Sequence, residues 1–226
     1  MNKGVVSVLV AYLIWGLYPF YFHAMQHVAP AEIVIHRVLW TFALLAVYLF
    51  CSRRWRWIQK AVTDRRTVAV FLMSSVLITA NWSTYTYAIV TNQTLEASLG
   101  YFMNPLVSVL LGTVFLKEKL NKAQMLAIVF ACAGVMWVTF KQGEFPALGL
   151  TLALSFGFYG LVRKMAPLGS LEGLTLETAF AFPVALLATF YFAGNGDLTF
   201  VHGTSWDKFW LIMAGPITTI PLILFA

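Results

Sequence analysis

The sequence predicts an all-α integral membrane protein, a polytopic bundle whose helices cross the bilayer several times. Of its 226 residues, 60% are hydrophobic and only 11% are charged, and the mean hydropathy is +0.79. Soluble domains have about a quarter of their residues charged, so this chain lacks the charge to cover a water-facing surface. Its apolar residues also form long runs of the length that a membrane-crossing helix needs.

Eight apolar runs are candidates for spanning helices, each of which takes roughly 20 residues. None of the runs alternates apolar and polar residues with the period of two that outer-membrane strands show. The connectors are short, which favours antiparallel neighbours. With boundaries good to a few residues, the predicted spans are 4–22, 33–50, 68–90, 96–116, 123–140, 146–162, 174–193 and 209–226.

Positive charges predict which side of the membrane each connector faces. If the N-terminus is cytoplasmic and the spans alternate, 12 of the 15 Lys and Arg residues lie in cytoplasmic segments. Cytoplasmic loops carry such an excess of positive charge. We therefore expect a cytoplasmic N-terminus, with membrane lipid as a partner. Nucleic acid is not expected as a partner, because the basic residues sit in short loops between apolar runs.

An internal repeat relates the first spans to later ones. The stretch WGLYPF at 15–20 aligns with FGFYGL at 156–161, and Glu32 to Arg37 aligns with Glu172 to Glu177. Span 1 then corresponds to span 6 and span 2 to span 7, so the repeat unit has five helices. Because five is odd, the second copy is inverted in the membrane.

This repeat predicts how the chain is organised. We expect two inverted five-helix repeats, the first over residues 1–141 with spans 1–5 and the second over residues 142–226 with spans 6–8. Counterparts of spans 4 and 5 are not found in the second repeat. About eight of ten helices are thus present, and we expect the chain to be truncated at its C-terminus.

Several stretches resemble EamA-type permeases of the drug/metabolite transporter superfamily. The fourth span carries the main signature, LEASLGYFMNPL at 95–106 followed by FLKEKL at 115–120. Within the family, the sequence is most similar to the RarD branch, the chloramphenicol-sensitivity proteins. Further similar stretches, in the family's order, are AYLIWG at 11–16, EIVIHRVLW at 32–40, ANW at 80–82, SFGFYGLVRK at 155–164 and GPITTIPL at 215–222.

The resemblance implies a permease of the bacterial inner (plasma) membrane that transports small organic metabolites or drugs, by export. Two inverted repeats favour a secondary transporter that works by alternating access. The sequence has no phosphate-binding glycine loop for ATP, so protons are the candidate driving ion, and no cofactor is expected. The alternative interpretations are a membrane-embedded lipid-handling enzyme and a non-transporting assembly subunit.

Ionisable residues inside spans are costly in hydrocarbon, so they are candidates for a substrate pathway or gate. His36 and Arg37 lie in span 2, and Glu96 begins span 4 at the same outer level, where we expect it to pair with Arg37. A structural ion pair and snorkelling to the headgroups are the alternative roles of Arg37.

A second charged cluster is expected at the opposite level. Glu177 lies near the inner end of span 7, and its expected partners are Arg163 or Lys164. The two clusters are predicted to act as outer and inner gates. The candidate proton carriers are His36, Glu96 and Glu177.

Aromatic and amide side chains in the spans are candidates for lining a central cavity, with helix packing or an interfacial aromatic belt as the alternatives. These residues are Trp15, Tyr18, Asn81, Trp82, Tyr85, Tyr101 and Asn104. We expect the Asn104-Pro105 pair to break its helix toward the cavity. Gly100 and Gly112 are expected to allow close helix approach. The sequence predicts no metal site, since His23, His27 and His202 lack ligand spacing.

Overall fold

The computed structural model describes residues 3–53, 55–143 and 145–225, so Arg54 of the basic loop and Ala226 at the end of the last predicted span lie outside the described residues. The described residues form eleven helices. These are α1 (Lys3–Gly16), α2 (Tyr18–Ala24), α3 (Pro30–Ser52), α4 (Arg56–Thr63), α5 (Arg65–Val90), α6 (Thr94–Phe115), α7 (Lys122–Gln142), α8 (Ala147–Lys164), α9 (Ser170–Gly194), α10 (Thr199–His202) and α11 (Ser205–Phe225).

The predicted all-α membrane fold is confirmed. Seven segments of the described chain are long and apolar enough to cross a bilayer, and one of them, Val5–Ala24, comprises α1 and α2 together. The predicted span 146–162 is the 18-residue helix α8, which is not among these seven. Many large apolar side chains point outward, such as Phe140 (86% exposed) and Phe102 (71% exposed), as a hydrocarbon environment requires.

Local sequence explains where several helices begin or break. Pro19 lacks a backbone N–H, so the hydrogen-bond ladder is interrupted at Leu17, between α1 and α2. Asp64 caps α5 by accepting hydrogen bonds from the hydroxyl and the backbone N–H of Thr67, and these bonds lower the pKa of its carboxyl group. Asn121 and Gln124 form a capping box at the start of α7.

The helices α3, α5, α8, α9 and α11 form the centre of the bundle. Helix α3 packs against α9 and α11, and α5 packs against α8 and α9. Helix α7 packs mainly against α6, and no residue in its most apolar window is buried. The polar interior therefore lies among five central helices, with α7 on the periphery.

The contacts between helices repeat across the chain. Helix α3 contacts α11 as α9 contacts α5, and α1 contacts α11 as α8 contacts α5. Exchanging α1 with α8, α3 with α9 and α5 with α11 converts each contact among these six helices into a contact of the structure. The contacts of these six helices therefore have a two-fold pattern.

Two local expectations are corrected, and one connector contains a helix. The basic connector 51–66 includes the short helix α4, which packs through Trp57 and Ala61 on Phe71 of α5. Helix α6 continues through Pro105, so the expected break at Asn104-Pro105 is wrong. A methyl group added at Gly112 would meet the side chain of Glu118 rather than a neighbouring helix.

Gly100 does allow close helix approach, as expected, and Gly215 marks a second close contact. A methyl group at Gly100 would lie 2.8 Å from Cβ of Leu152 on α8. At Gly215 on α11 it would lie 2.6 Å from the backbone carbonyl carbon of Trp40 on α3. A backbone atom cannot rotate away as a side chain can, so the α3–α11 contact depends on the absence of a side chain at Gly215.

We expect Gly215→Ala to destabilise the bundle by about 1–3 kcal/mol, because the added methyl group overpacks the α3–α11 contact. Thermal unfolding in detergent, followed by the loss of monodisperse protein, measures the effect. Gly160→Ala is the matched control, since a methyl group at this mid-helix position meets no atom within 4 Å. Equal stability of the two variants would contradict the packing argument.

Candidate binding cavity

A cavity of about 530 Å³ lies among the central helices. This volume is in the range of pockets that hold small organic molecules. Its walls include residues from both sides of residue 141, contributed by α1, α2, α3, α5, α6, α8, α9 and α11. The cavity therefore lies between the early and late parts of the chain.

Most of the wall is aromatic. The aromatic lining residues are Trp15, Tyr18, Trp82, Tyr85, Tyr101, Phe156 and Tyr159. Tyr85 and Tyr101 meet edge to face, with ring centroids 5.6 Å apart. The Tyr18 hydroxyl donates a hydrogen bond to the Ile217 carbonyl at 2.7 Å, which ties α2 to α11. Such a surface suits an apolar or aromatic molecule.

Arg37 is the most deeply buried charge in the wall. This residue lies on α3 and is only 3% exposed. Nε donates to the Thr218 hydroxyl at 3.1 Å and Nη1 donates to the Thr86 hydroxyl at 3.4 Å. The guanidinium carbon lies 4.7 Å from the Trp82 ring centroid and 5.7 Å from that of Phe22. Neutral hydroxyls and aromatic faces thus surround a full positive charge.

The expected Arg37–Glu96 ion pair is wrong. Among the described residues, no carboxylate oxygen lies within 4.0 Å of Arg37. Glu96 Oε2 instead accepts a hydrogen bond from the backbone N–H of Leu148 at 3.0 Å, in the first turn of α8. A carboxylate stabilises the unpaired N–H groups of a helix N-terminus. Glu96 therefore bonds to the start of α8 and does not pair with Arg37.

The expected contact between Glu177 and Arg163 is confirmed, with Nε of Arg163 3.6 Å from Oε1 of Glu177. The hydroxyls of Ser74 and Tyr159 also donate to this carboxylate, the latter at 3.3 Å. The Ser75 hydroxyl donates to the Glu177 backbone carbonyl at 2.6 Å. This network joins α5, α8 and α9.

The other possible partner of Glu177, Lys164, is engaged elsewhere. Its ammonium group pairs with the carboxylate of Glu118 at 2.5 Å, outside the Glu177 network.

The two charged clusters lie at different levels of the bundle. Arg37 bonds to Thr86 of α5, and Glu177 bonds to Ser74 of the same helix. These α5 residues are twelve positions apart, which corresponds to about 18 Å along the helix axis. Arg37 and Glu177 are therefore too far apart for an ion pair.

Four of the predicted pathway residues do not line the cavity: His36, Glu96, Asn104 and Glu177. His36 accepts a hydrogen bond at Nδ1 from Trp40 Nε1 at 2.9 Å, and its ring lies 4.6 Å from that of Phe200. Asn104 Oδ1 is buried without a hydrogen-bond partner among the described residues.

Asn81 does lie in the wall, as predicted. Its amide donates to the Leu152 carbonyl and the Ser155 hydroxyl, both at 3.1 Å. These two bonds fix α5 against α8 beside the cavity.

Three polar wall residues were not predicted as cavity residues, namely Arg163, Ser170 and Thr218. Arg163 was expected only as a partner of Glu177, but it also lines the cavity, where its guanidinium carbon lies 5.2 Å from the Phe71 ring centroid. Thr218 is the partner of Arg37. The repeat contained a signal for Arg163, since Tyr159, one turn earlier on the same helix, aligns with the predicted cavity residue Tyr18.

Histidine and carboxylate side chains do not gather into a metal site in the described ranges, which hold no group of three or more His, Cys, Asp or Glu side chains suited to a metal ion. His27 pairs with Asp207 at 2.9 Å, away from the cavity wall. This pair connects the end of the first span to the start of α11.

Comparison with known proteins agrees with this architecture. The model of the EamA-like transporter family matches residues 2–140. The chain is 40% identical over 230 residues to the transporter YojE of Bacillus subtilis, covering 100% of this chain and 76% of that protein. It is 37% identical over 224 residues to the protein RarD of Escherichia coli K12, covering 99% of this chain and 76% of RarD.

A more distant relative is named for a drug. The chloramphenicol-sensitive protein RarD of Pseudomonas aeruginosa is 28% identical over 216 residues, covering 94% of this chain and 71% of that protein. The chain spans about three quarters of the length of these relatives. It belongs to the EamA-like transporter family and is a multi-pass membrane transporter related to the RarD proteins.

Proposed function

We propose that the chain acts as a secondary transporter that exports small organic metabolites or drugs through the cavity. The observation that carries this proposal is the position of the cavity, whose wall is shared by the predicted first repeat (1–141) and the predicted second repeat (142–226). A site between two halves is exposed to either side of the membrane in turn when the halves rock against each other. The family indicates a transporter rather than an enzyme.

The arrangement of the helices supports alternating access between inverted repeats. The interhelical contacts have the two-fold pattern described above. The residues at equivalent repeat positions also have equivalent neighbours, since Tyr159 lies beside Glu177 as Tyr18 lies near Arg37 in the cavity wall. Two related halves that pack against each other through equivalent contacts are the arrangement expected for two alternating gates.

The charged clusters supply a candidate for each gate. In this proposal the N-terminus is cytoplasmic and the protein lies in the bacterial inner membrane, as the distribution of basic residues favours. The Glu177–Arg163 network then lies toward the cytoplasm, and Arg37 with Thr86 and Thr218 lies toward the outside. Opening one side requires the hydrogen bonds of that cluster to break, while those of the other cluster persist.

Transport through the cavity predicts that its aromatic wall is needed for export. We expect Trp82→Ala to reduce export of the transported compound by about tenfold or more, because the variant loses an aromatic binding surface. The measurement compares metabolites inside and outside cells that express the full coding sequence, together with chloramphenicol accumulation. Trp137→Ala is the matched control, since this α7 tryptophan is 66% exposed and far from the cavity wall.

The wild-type protein and both variants must be present in the membrane in equal amounts in the cells that are compared. A compound that leaves wild-type and Trp137→Ala cells quickly, but Trp82→Ala cells slowly, supports the proposal and identifies a substrate. Equal export by both variants across a broad panel of compounds would contradict transport through this cavity.

Proton coupling through Glu177 is the proposed driving mechanism. Of the three candidate carriers, Glu177 alone bonds to residues of the cavity wall, through Arg163 and Tyr159. We expect transport by Glu177→Gln in proteoliposomes to lose its dependence on an imposed pH gradient, because the amide cannot release a proton. Glu118→Gln removes an exposed carboxylate and serves as the control. An unchanged gradient dependence in Glu177→Gln would exclude Glu177 as the carrier.

A further inference from the structure

The charges in the cavity wall do not balance. Its residues include two arginines, Arg37 and Arg163, and no Asp or Glu. Arg163 is compensated by Glu177, which lies behind it. Arg37 contacts two neutral hydroxyls and two aromatic rings, so its charge has no counter-charge within 4.0 Å in the part of the chain that the structure describes.

A buried guanidinium keeps its charge, since its protons are not released under physiological conditions. Removing it from water costs free energy that neutral partners recover only in part. An anion that enters the cavity supplies the missing counter-charge, whereas a cation is repelled. The uncompensated charge of Arg37 therefore favours negatively charged ligands over neutral or positively charged ones.

One edge of the Arg37 guanidinium group is available to a ligand in the cavity. Trp82 and Phe22 lie over the guanidinium, and Nε and Nη1 are used by Thr218 and Thr86. Nη2 has no hydrogen-bond acceptor among the described residues, and Arg37 forms part of the cavity wall. Planar N–H donors of arginine match the geometry of a carboxylate.

We propose that the cavity binds a small organic anion, a monocarboxylate with an aromatic body, whose carboxylate contacts Arg37 while its ring packs on Trp15, Tyr85 and Tyr101. The inference deepens the proposed transport function and depends on it for its biological meaning. The single uncompensated cation specifies one negative charge. The aromatic wall and the volume of about 530 Å³ specify a compact aromatic body.

Binding to purified full-length protein in nanodiscs tests the proposal without requiring transport. The probes are 3-phenylpropanoate, its neutral isostere 3-phenylpropanamide, and 3-phenylpropylammonium, measured by calorimetry. We expect the carboxylate to bind about tenfold or more tightly than the amide, because a charge-assisted hydrogen bond is stronger than a neutral one. The ammonium probe is expected to bind weakest.

The Arg37→Gln variant identifies the residue responsible, because glutamine can still donate to a threonine hydroxyl but carries no charge. We expect it to lose the preference for the carboxylate over the amide while its affinity for the amide stays within about threefold of wild type. Lys141→Gln, which removes an exposed positive charge on α7, is expected to keep the preference.

Several outcomes would overturn the inference. These are equal or tighter binding of the amide or the ammonium compound by the wild type, no binding of the carboxylate at millimolar concentration, and a preserved preference in Arg37→Gln. The wild-type probe series decides the matter even if Arg37→Gln fails to fold. Carboxylate binding without any export would refute the transport proposal alone, and Trp82-dependent export of neutral compounds only would refute the anion site alone.

Discussion

The ionisable side chains of Arg37 and Glu177 have to be accommodated inside a bundle that is surrounded by hydrocarbon, and the central helices supply hydrogen-bond partners to both. Every polar group at this depth needs a partner from the protein, because lipid offers none. Helix α5 supplies hydroxyls to both charges, Thr86 to Arg37 and Ser74 to Glu177. The position of α5 between α3, α8 and α9 is therefore fixed by hydrogen bonds as well as by apolar contacts.

The two clusters differ in a way that matters for function. Glu177 has Arg163 as a counter-charge, with Nε 3.6 Å from its carboxylate. Arg37 has hydroxyls and aromatic rings but no counter-charge in the described chain, and it faces the cavity. The Glu177 cluster needs no ligand to balance its charge, whereas the uncompensated charge of Arg37 can also hold an anionic ligand at its gate.

Hydropathy and the low content of charged residues predicted most of the fold, because lipid imposes strong rules on helix length and composition. Within the described residues all eight apolar runs are helical, the first as α1 and α2 together. Six of the seven predicted cavity residues, from Trp15 to Tyr101, line the cavity. The pairing of Glu96 was not predictable from sequence, since its partner is a backbone N–H of Leu148 rather than a charged residue. Asn104 was expected to face the cavity at a helix break, but α6 continues through Pro105 and Asn104 does not line the cavity.

Alternating access between the two halves is the central claim, and distances across each end of the bundle test it most directly. Spin-label pairs at Leu95 with His202 and at Val62 with Met165, all exposed, would span the two ends between the early and late parts of the chain. Pulsed spectroscopy on protein lacking Cys51 and Cys132 would report both distances. The account predicts two populations in which one distance lengthens as the other shortens when a transported compound is added. Distances that stay fixed at both ends, or that change together, would contradict it.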